Sequence, residues 1–154
     1  MVVPLEAMSE QKTIRAPVRL TGVGLHSGQE IQVEFRPADP DTGVVFVRGD
    51  LPGHPRVSVR PENLVTKPRR SALVEGPAEV ETTEHLLAAL YGAGIHNLVV
   101  HLNGSELPGL DGSALPYYEA LCGVGLESQG KRAPEIRLNG PLAVTDRGAS
   151  IVAF

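Results

Sequence analysis

Apolar and polar residues alternate from Thr13 to Leu20, with Ile14, Ala16, Val18 and Leu20 on one side and Thr13, Arg15, Pro17 and Arg19 on the other. That is the period of a half-buried strand, and Pro17 assigns it to an edge or an irregular position. Alternation resumes from Glu30 to Arg36 with Ile31, Val33 and Phe35 inward. The Gly-rich segment Thr21-Gly-Val-Gly-Leu-His-Ser-Gly28 between them predicts a hairpin with a long loop. Val44 to Arg48 reads as a more buried strand, Leu51 to Pro55 as a turn, and Val57 to Val59 as a short strand ended by Pro61-Glu-Asn63. Ser71 to Val74 and Ala78 to Val80 predict short strands around Glu75-Gly76-Pro77.

The period then changes. Thr82-Thr83-Glu84-His85-Leu-Leu-Ala-Ala-Leu-Tyr-Gly92 predicts a helix capped by a Thr, with Glu84 in its first turn and Leu86, Leu87 and Leu90 as its apolar stripe. Gly92 and Gly94 stop it. Ile95 to Leu102 predicts a strand with Leu98, Val100 and Leu102 on one face. Ser113 caps a second helix with Pro116 in its first turn and Leu115, Tyr118, Leu121 and Cys122 at helical spacing, ended by Gly123 and Gly125. Gln129 to Pro134 reads as a linker. Glu135 to Leu138, Leu142 to Val144 and Ser150 to Phe154 predict new strands, the last with no visible partner. The expected organisation is a first domain over residues 11–127 and the start of a second, incomplete domain over 133–154. The order of strands, helix, strand, helix and strands gives an α+β class: a two-layer domain of antiparallel strands with two helices on one face.

Composition narrows the function classes. The 154 residues carry 42% hydrophobic and 21% charged residues and a formal net charge of −4, a globular balance that does not favour a nucleic-acid partner. No stretch reaches the length of a transmembrane segment, and the first ten residues lack the pattern of a secretion signal, so a cytoplasmic setting is expected. The single cysteine, Cys122, makes no internal disulfide and reads as a small buried hydrophobe. With three Phe, three Tyr and no Trp, the core rests on Val, Leu, Ile and Ala. The one basic cluster, Lys67-Pro68-Arg69-Arg70, reads as a solvated loop, or as a contact for an anion.

Glu84-His85 is the pair with most chemical interest. Neighbouring helix residues project roughly 100° apart, yet at a helix start both can reach one cleft above the N-terminus. The partial positive charge there suits an ionised carboxylate and a neutral, metal-binding imidazole. Such a carboxylate can take a proton from an activated water. The plainer alternative is a first-turn Glu that only complements the dipole, beside a surface His. No second His follows at i+4, so this is not the H-E-x-x-H motif. His26 reads as a loop histidine, His96 and His101 as solvent-facing strand residues, and His54 as a turn residue. Glu106 and Asp111 read as architectural, Asp111 bracing a turn.

Four segments occur in an order that resembles one family: Thr21-Gly-Val-Gly-Leu-His-Ser-Gly28, Thr83-Glu84-His85-Leu-Leu-Ala-Ala-Leu90, Gly94-Ile-His-Asn97 and Glu106-Leu-Pro-Gly-Leu-Asp111-Gly-Ser-Ala-Leu-Pro116. They resemble the first domain of the UDP-3-O-acyl-N-acetylglucosamine deacetylases, zinc-dependent hydrolases of lipid A synthesis, over about Gln11 to Gly125 plus the opening strands of the second domain. The resemblance implies a fold like domain 2 of ribosomal protein S5 and an active site between two such domains. It implies Glu84 as general base, His85 as one Zn2+ ligand, and His26 near the site without being a ligand. Asp111 to Ala114 would be structural. The family's other ligands, a His and an Asp of a His-Lys-x-x-Asp motif, and its acid His belong to the second domain, and these 154 residues contain no such motif. The implied substrate is UDP-3-O-(3-hydroxyacyl)-N-acetylglucosamine, which loses acetate. The chain alone is then expected to be inactive, needing a second domain or a complementing chain. The alternatives are a non-catalytic S5-like binding module and one half of a split enzyme.

Overall fold

The computed structural model describes residues 10–135 and 138–154. In chain order the strands are β1 (Glu10–Ile14), β2 (Val18–Val23), β3 (Glu30–Pro37), β4 (Val44–Arg48), β5 (Arg56–Ser58), β6 (Leu64–Lys67), β7 (Arg70–Glu75), β8 (Ala78–Glu81), β9 (Leu98–Leu102), β10 (Leu126–Arg132), β11 (Leu142–Asp146) and β12 (Ala149–Ala153). Helix α1 (Glu84–Ala93) lies between β8 and β9, and α2 (Leu115–Gly123) between β9 and β10. The class is α+β.

The main sheet has five strands in the order β2-β3-β9-β4-β5. All its pairings are antiparallel except β4 with β9, which run parallel, so the purely antiparallel expectation is corrected there. Parallel strands need a long crossover, and here it includes β5 to β8 and α1. One row of paired residues crosses all five strands: Val18, Phe35, Val100, Phe46 and Val57. Phe35, Val100, Phe46 and Val57 are wholly buried, and they join Leu86, Ala89 and Leu90 of α1 and Tyr117 and Leu121 of α2 in one core. Phe35 and Tyr117 meet edge to face at 6.1 Å. The predicted inward faces of β3 and β9 are therefore as expected, and Leu86 and Leu90 face the core as the stripe on α1 requires. On α2 the buried face is Tyr117 and Leu121; Leu115 and Tyr118 are exposed, and Cys122, expected as a buried hydrophobe, is half-buried. A helix this short, in contact with α1, follows its neighbour rather than its own periodicity.

Other expectations also change. The single strand expected over Thr13 to Leu20 is two strands in two sheets. Around Pro17 the chain bends, and Arg15 N–H donates to the Gly125 carbonyl at 2.9 Å while β1 pairs with β10. Thr13, expected on the polar side, is buried, and its hydroxyl donates to the Asn97 carbonyl at 2.7 Å. The expected linker is mostly β10: its polar sequence pairs with β1, and Gln129 is held by the side chain of buried Asn97 at 2.7 Å and by the Ala38 carbonyl at 2.7 Å. Ile95 to Asn97 is a loop, with β9 starting at Leu98. His96 and His101 are half-buried rather than solvent-facing; the His96 ring accepts the Lys12 N–H at 3.2 Å, and burial, followed by Arg36, pushes the His101 imidazole down. The strand expected at Glu135 to Leu138 falls partly outside the described residues. β12 does have a partner, β11, and every residue of that hairpin is exposed.

The basic cluster is not a loop. Lys67 ends β6 and Arg70 begins β7, joined by Pro68 and by Arg69 at φ +61°. Lys67 pairs with Glu79 and Glu81 of β8, and Arg70 lies 2.9 Å from Glu81, so most of this charge is already matched within the β6-β7-β8 sheet. Arg48 ties this small sheet to the large one: it grips Asp50 with two hydrogen bonds of 2.8 and 2.7 Å and donates to the Glu79 carbonyl at 2.6 Å.

Because Phe46 is central to the apolar row, Phe46→Ala is expected to lower unfolding free energy by about 3–5 kcal/mol. Urea titration with unchanged m-value checks this; a loss near ~1 kcal/mol would mean the row is not packed as described.

Candidate active site

Glu84 is the first residue of α1, and its Oε2 accepts the Ser71 N–H of β7 at 3.1 Å. The helix starts without the expected side-chain cap. Thr83 stands at the N-cap position in helical conformation, and its wholly buried hydroxyl has no hydrogen-bond partner. At the other end Gly94, at φ +67°, closes the helix in the left-handed conformation. Gly92, expected as a stop, lies inside the last turn.

His85, one residue on, lines a cleft of about 510 Å³. One wall is the end of β2 and the turn after it, with Val23, Gly24, Leu25 and Gly28; the other is the loop Gly109, Leu110, Asp111 and Gly112. The structure thus brings His85, the Gly-rich turn and the 109–112 loop together. Glu84 is not part of this lining and faces β7 instead. The side chain of His26 is exposed and does not line the cleft either; its backbone N–H donates to Glu106 Oε1 at 2.9 Å.

The loop before α2 is braced locally. Asp111 Oδ1 accepts both the N–H and the hydroxyl of Ser113 at 2.8 Å, and the Ser113 hydroxyl accepts the Leu115 N–H at 3.1 Å. Ala114 occupies the N-cap position, so Ser113 acts one residue earlier than expected, with Pro116 in the first turn as expected. Those Ser113 hydrogen bonds hold the Asp111 carboxyl below the ordinary carboxylate range, with a smaller contribution from the charge of His85. Tyr117 donates to the Pro108 carbonyl at 2.5 Å and fixes the loop from below; burial pushes its phenol up.

Glu106 is the carboxylate whose importance the sequence understated. It is 1% exposed and accepts three hydrogen bonds: from the N–H groups of His26 (2.9 Å) and Ser27 (2.7 Å) and from the Thr82 hydroxyl (3.0 Å). Burial raises its pKa, but the His26 N–H, the Ser27 hydroxyl and N–H and the Thr82 hydroxyl together outweigh burial and hold it below the ordinary value. Gly24 is the one sequence signal for this arrangement. A Cβ there would stand 2.2 Å from Ser27 Oγ and 2.5 Å from Glu106 Oε2.

From residue 11 to 154 the chain matches the family model described as LpxC, UDP-3-O-acyl N-acetylglycosamine deacetylase. The chain belongs to that family. It is also 40% identical over 139 residues to a UDP-3-O-acyl-N-acetylglucosamine deacetylase of Pseudomonas entomophila (strain L48), an alignment that covers 90% of this chain and 46% of that protein. The chain therefore spans about half the length of this curated relative.

Among the described residues no three His, Cys, Asp or Glu side chains converge so as to hold a metal ion. In the cleft the one acidic neighbour of His85 is Asp111, and Asp111 is engaged with Ser113. A catalytic zinc takes about three protein ligands and an open position. The described residues of this deacetylase-family chain do not fit such a site by themselves; His85 can offer one imidazole. No helix among the described residues is long and apolar enough to cross a membrane.

The depressed pKa of Glu106 makes stability pH-dependent. The unfolded chain takes up the proton first, near the ordinary value of 4.5, so the contribution of Glu106 is complete above that pH and is lost as pH falls through the lower folded value. Urea midpoints measured from about pH 6 down to about pH 3 should fall, and less steeply in Glu106→Gln. Equal slopes in the two proteins would refute the assignment.

Proposed function

We propose that this chain supplies the base-bearing half of a zinc-dependent amide hydrolase that removes acetate from UDP-3-O-(3-hydroxyacyl)-N-acetylglucosamine in lipid A biosynthesis. The carrying observation is the placement of Glu84 and His85 on the first two positions of α1, beside a cleft walled by two of the four segments that resemble the family. Membership in the deacetylase family supports the reading.

In this reading Glu84 is the general base and takes a proton from the attacking water. Ser71 N–H holds one of its oxygens at 3.1 Å, which leaves the other for that proton. His85 presents its imidazole at the cleft as one of three metal ligands. Held by His85 together with ligands that the described residues do not supply, Zn2+ would polarise the amide carbonyl and make the water more acidic. His26, held through its backbone N–H by Glu106 in the turn that walls the cleft, is read as a near-site residue and not as a ligand. The UDP-sugar is taken as the substrate of this cleft because the relative's name gives that class of substrate. The remaining ligands and the acid that protonates the leaving amine belong to a second domain or a complementing chain, since His85 alone cannot hold the metal. The same reading takes residues 11–127 as an S5-like domain, 133–154 as the beginning of a similar one, and the protein as cytoplasmic.

Purified 154-residue chain with added zinc is expected to show no turnover of the acetylated UDP-sugar. A protein that carries this segment together with the family's second domain is expected to release acetate. In it, Glu84→Gln should lower kcat by about 10²–10⁴-fold at unchanged zinc content, and His85→Ala should lose zinc. Normal turnover by the isolated chain or by Glu84→Gln would refute the reading. No turnover by any protein carrying the segment would favour a non-catalytic binding module.

A further inference from the structure

None of the roles assigned above uses the buried carboxylate of Glu106, yet it lies where three segments meet. Its backbone is laced in place: Glu81 N–H donates to the Ser105 carbonyl (2.7 Å), Leu107 N–H to the Glu81 carbonyl (3.1 Å) and Gly109 N–H to the Val23 carbonyl (2.9 Å). From this fixed point one oxygen takes the Ser27 N–H, and the other takes the His26 N–H and the Thr82 hydroxyl.

Thr82 is in an unusual state. It is buried, β-branched, and at φ +58° in the left-handed region, which such residues rarely adopt. Strain of that kind persists only where surroundings over-determine the backbone. Two contacts do so here: the hydroxyl to Glu106, and the Thr82 N–H to the Ser71 carbonyl at 2.9 Å. Ser71 in turn directs its own N–H to Glu84 Oε2 at 3.1 Å. A continuous path of hydrogen bonds therefore runs from Glu106 through Thr82 and Ser71 to Glu84. A second arm runs from Glu106 through His26 and Ser27 to the turn whose Leu25 and Gly28 wall the His85 cleft.

We propose that Glu106 is the positioning residue of this site, a buried anion that holds strained Thr82 and the 24–28 turn and thereby sets the orientation of Glu84 and the cleft wall that faces His85. The inference rests on the reading of those two residues as base and ligand. A carboxylate is required because three donors converge on it. A glutamine would bring its own N–H₂ against one of them, leaving a buried donor unmatched.

The test uses a protein that carries these residues and turns over substrate. Glu106→Gln is expected to lower kcat by about 10–100-fold with KM within about twofold and zinc content unchanged. Backbone hydrogen exchange should quicken by about tenfold or more at His26 and Ser27, with β3 and β9 still protected. In a Glu84→Gln background the same change should cost little further activity, because both act on one step. Thr82→Val removes only the hydroxyl and is expected to act in the same direction by a smaller factor. It decides the matter if Glu106→Gln does not fold.

A kcat unchanged in both variants would overturn the proposal. So would full additivity with Glu84→Gln, or exchange that quickens across β3 and β9 in step with lost activity. Should Glu84→Gln itself prove fully active, the base assignment fails on its own, and exchange at His26 and Ser27 then decides the proposal: local quickening in Glu106→Gln supports the clasp, and none overturns it.

Discussion

Strand β9 is hydrogen-bonded along both edges, antiparallel to β3 and parallel to β4, and the remaining structure depends on that double pairing. It places Val100 between Phe35 and Phe46, and the row they form is the floor on which both helices pack. It also decides where chemistry can occur. Helix α1 returns to β9 through the left-handed Gly94, so its ten residues run back along the sheet for about 15 Å. The start of α1 thus lies near the end of β9, where the chain emerges toward Glu106. The parallel bridge between Glu81 and Glu106 marks this meeting point.

Packing of the large sheet was legible because its residues obey one simple rule. Ile31, Val33 and Phe35, like Leu98, Val100 and Leu102, alternate without exception, and apolar burial alone fixes their register. Strands β1 and β10 obey another. They are joined through Gln11, Asn97 and Gln129, with Asn97 Nδ2 donating to Gln11 at 2.8 Å and to Gln129 at 2.7 Å. A polar network of this sort leaves no hydrophobic periodicity in either strand, so a polar strand looks like a linker. Lys67 and Arg70 were similarly opaque: their partners, Glu79 and Glu81, lie on β8, two strands on from Lys67 and one from Arg70, and are matched only by sheet pairing.

At the site, legibility divides along the same line. Glu84 and His85 stand out because a helix start has a sequence signature, and the surrounding motifs carry the family. Which way Glu84 points has no such signature. It depends on Ser71, on the unusual backbone of Thr82, and on a carboxylate more than twenty residues downstream. A threonine gives no hint that its φ will be positive, and Glu106 looks like any polar residue before a proline-containing loop. Only Gly24, with no room for a side chain, leaves a trace of the close approach.

The parallel pairing of β4 with β9 has a kinetic side. Between the two strands the chain makes a long excursion that includes β6, β7, β8 and α1, so Thr82, Glu84 and His85 all lie inside the connection. Closing such a loop loses chain entropy before any sheet contact compensates, and contacts distant in sequence form late. Glu106 lies beyond β9 and can meet Thr82 only after that closure. The contact between Glu106 and Thr82 is therefore among the last things this chain acquires as it folds.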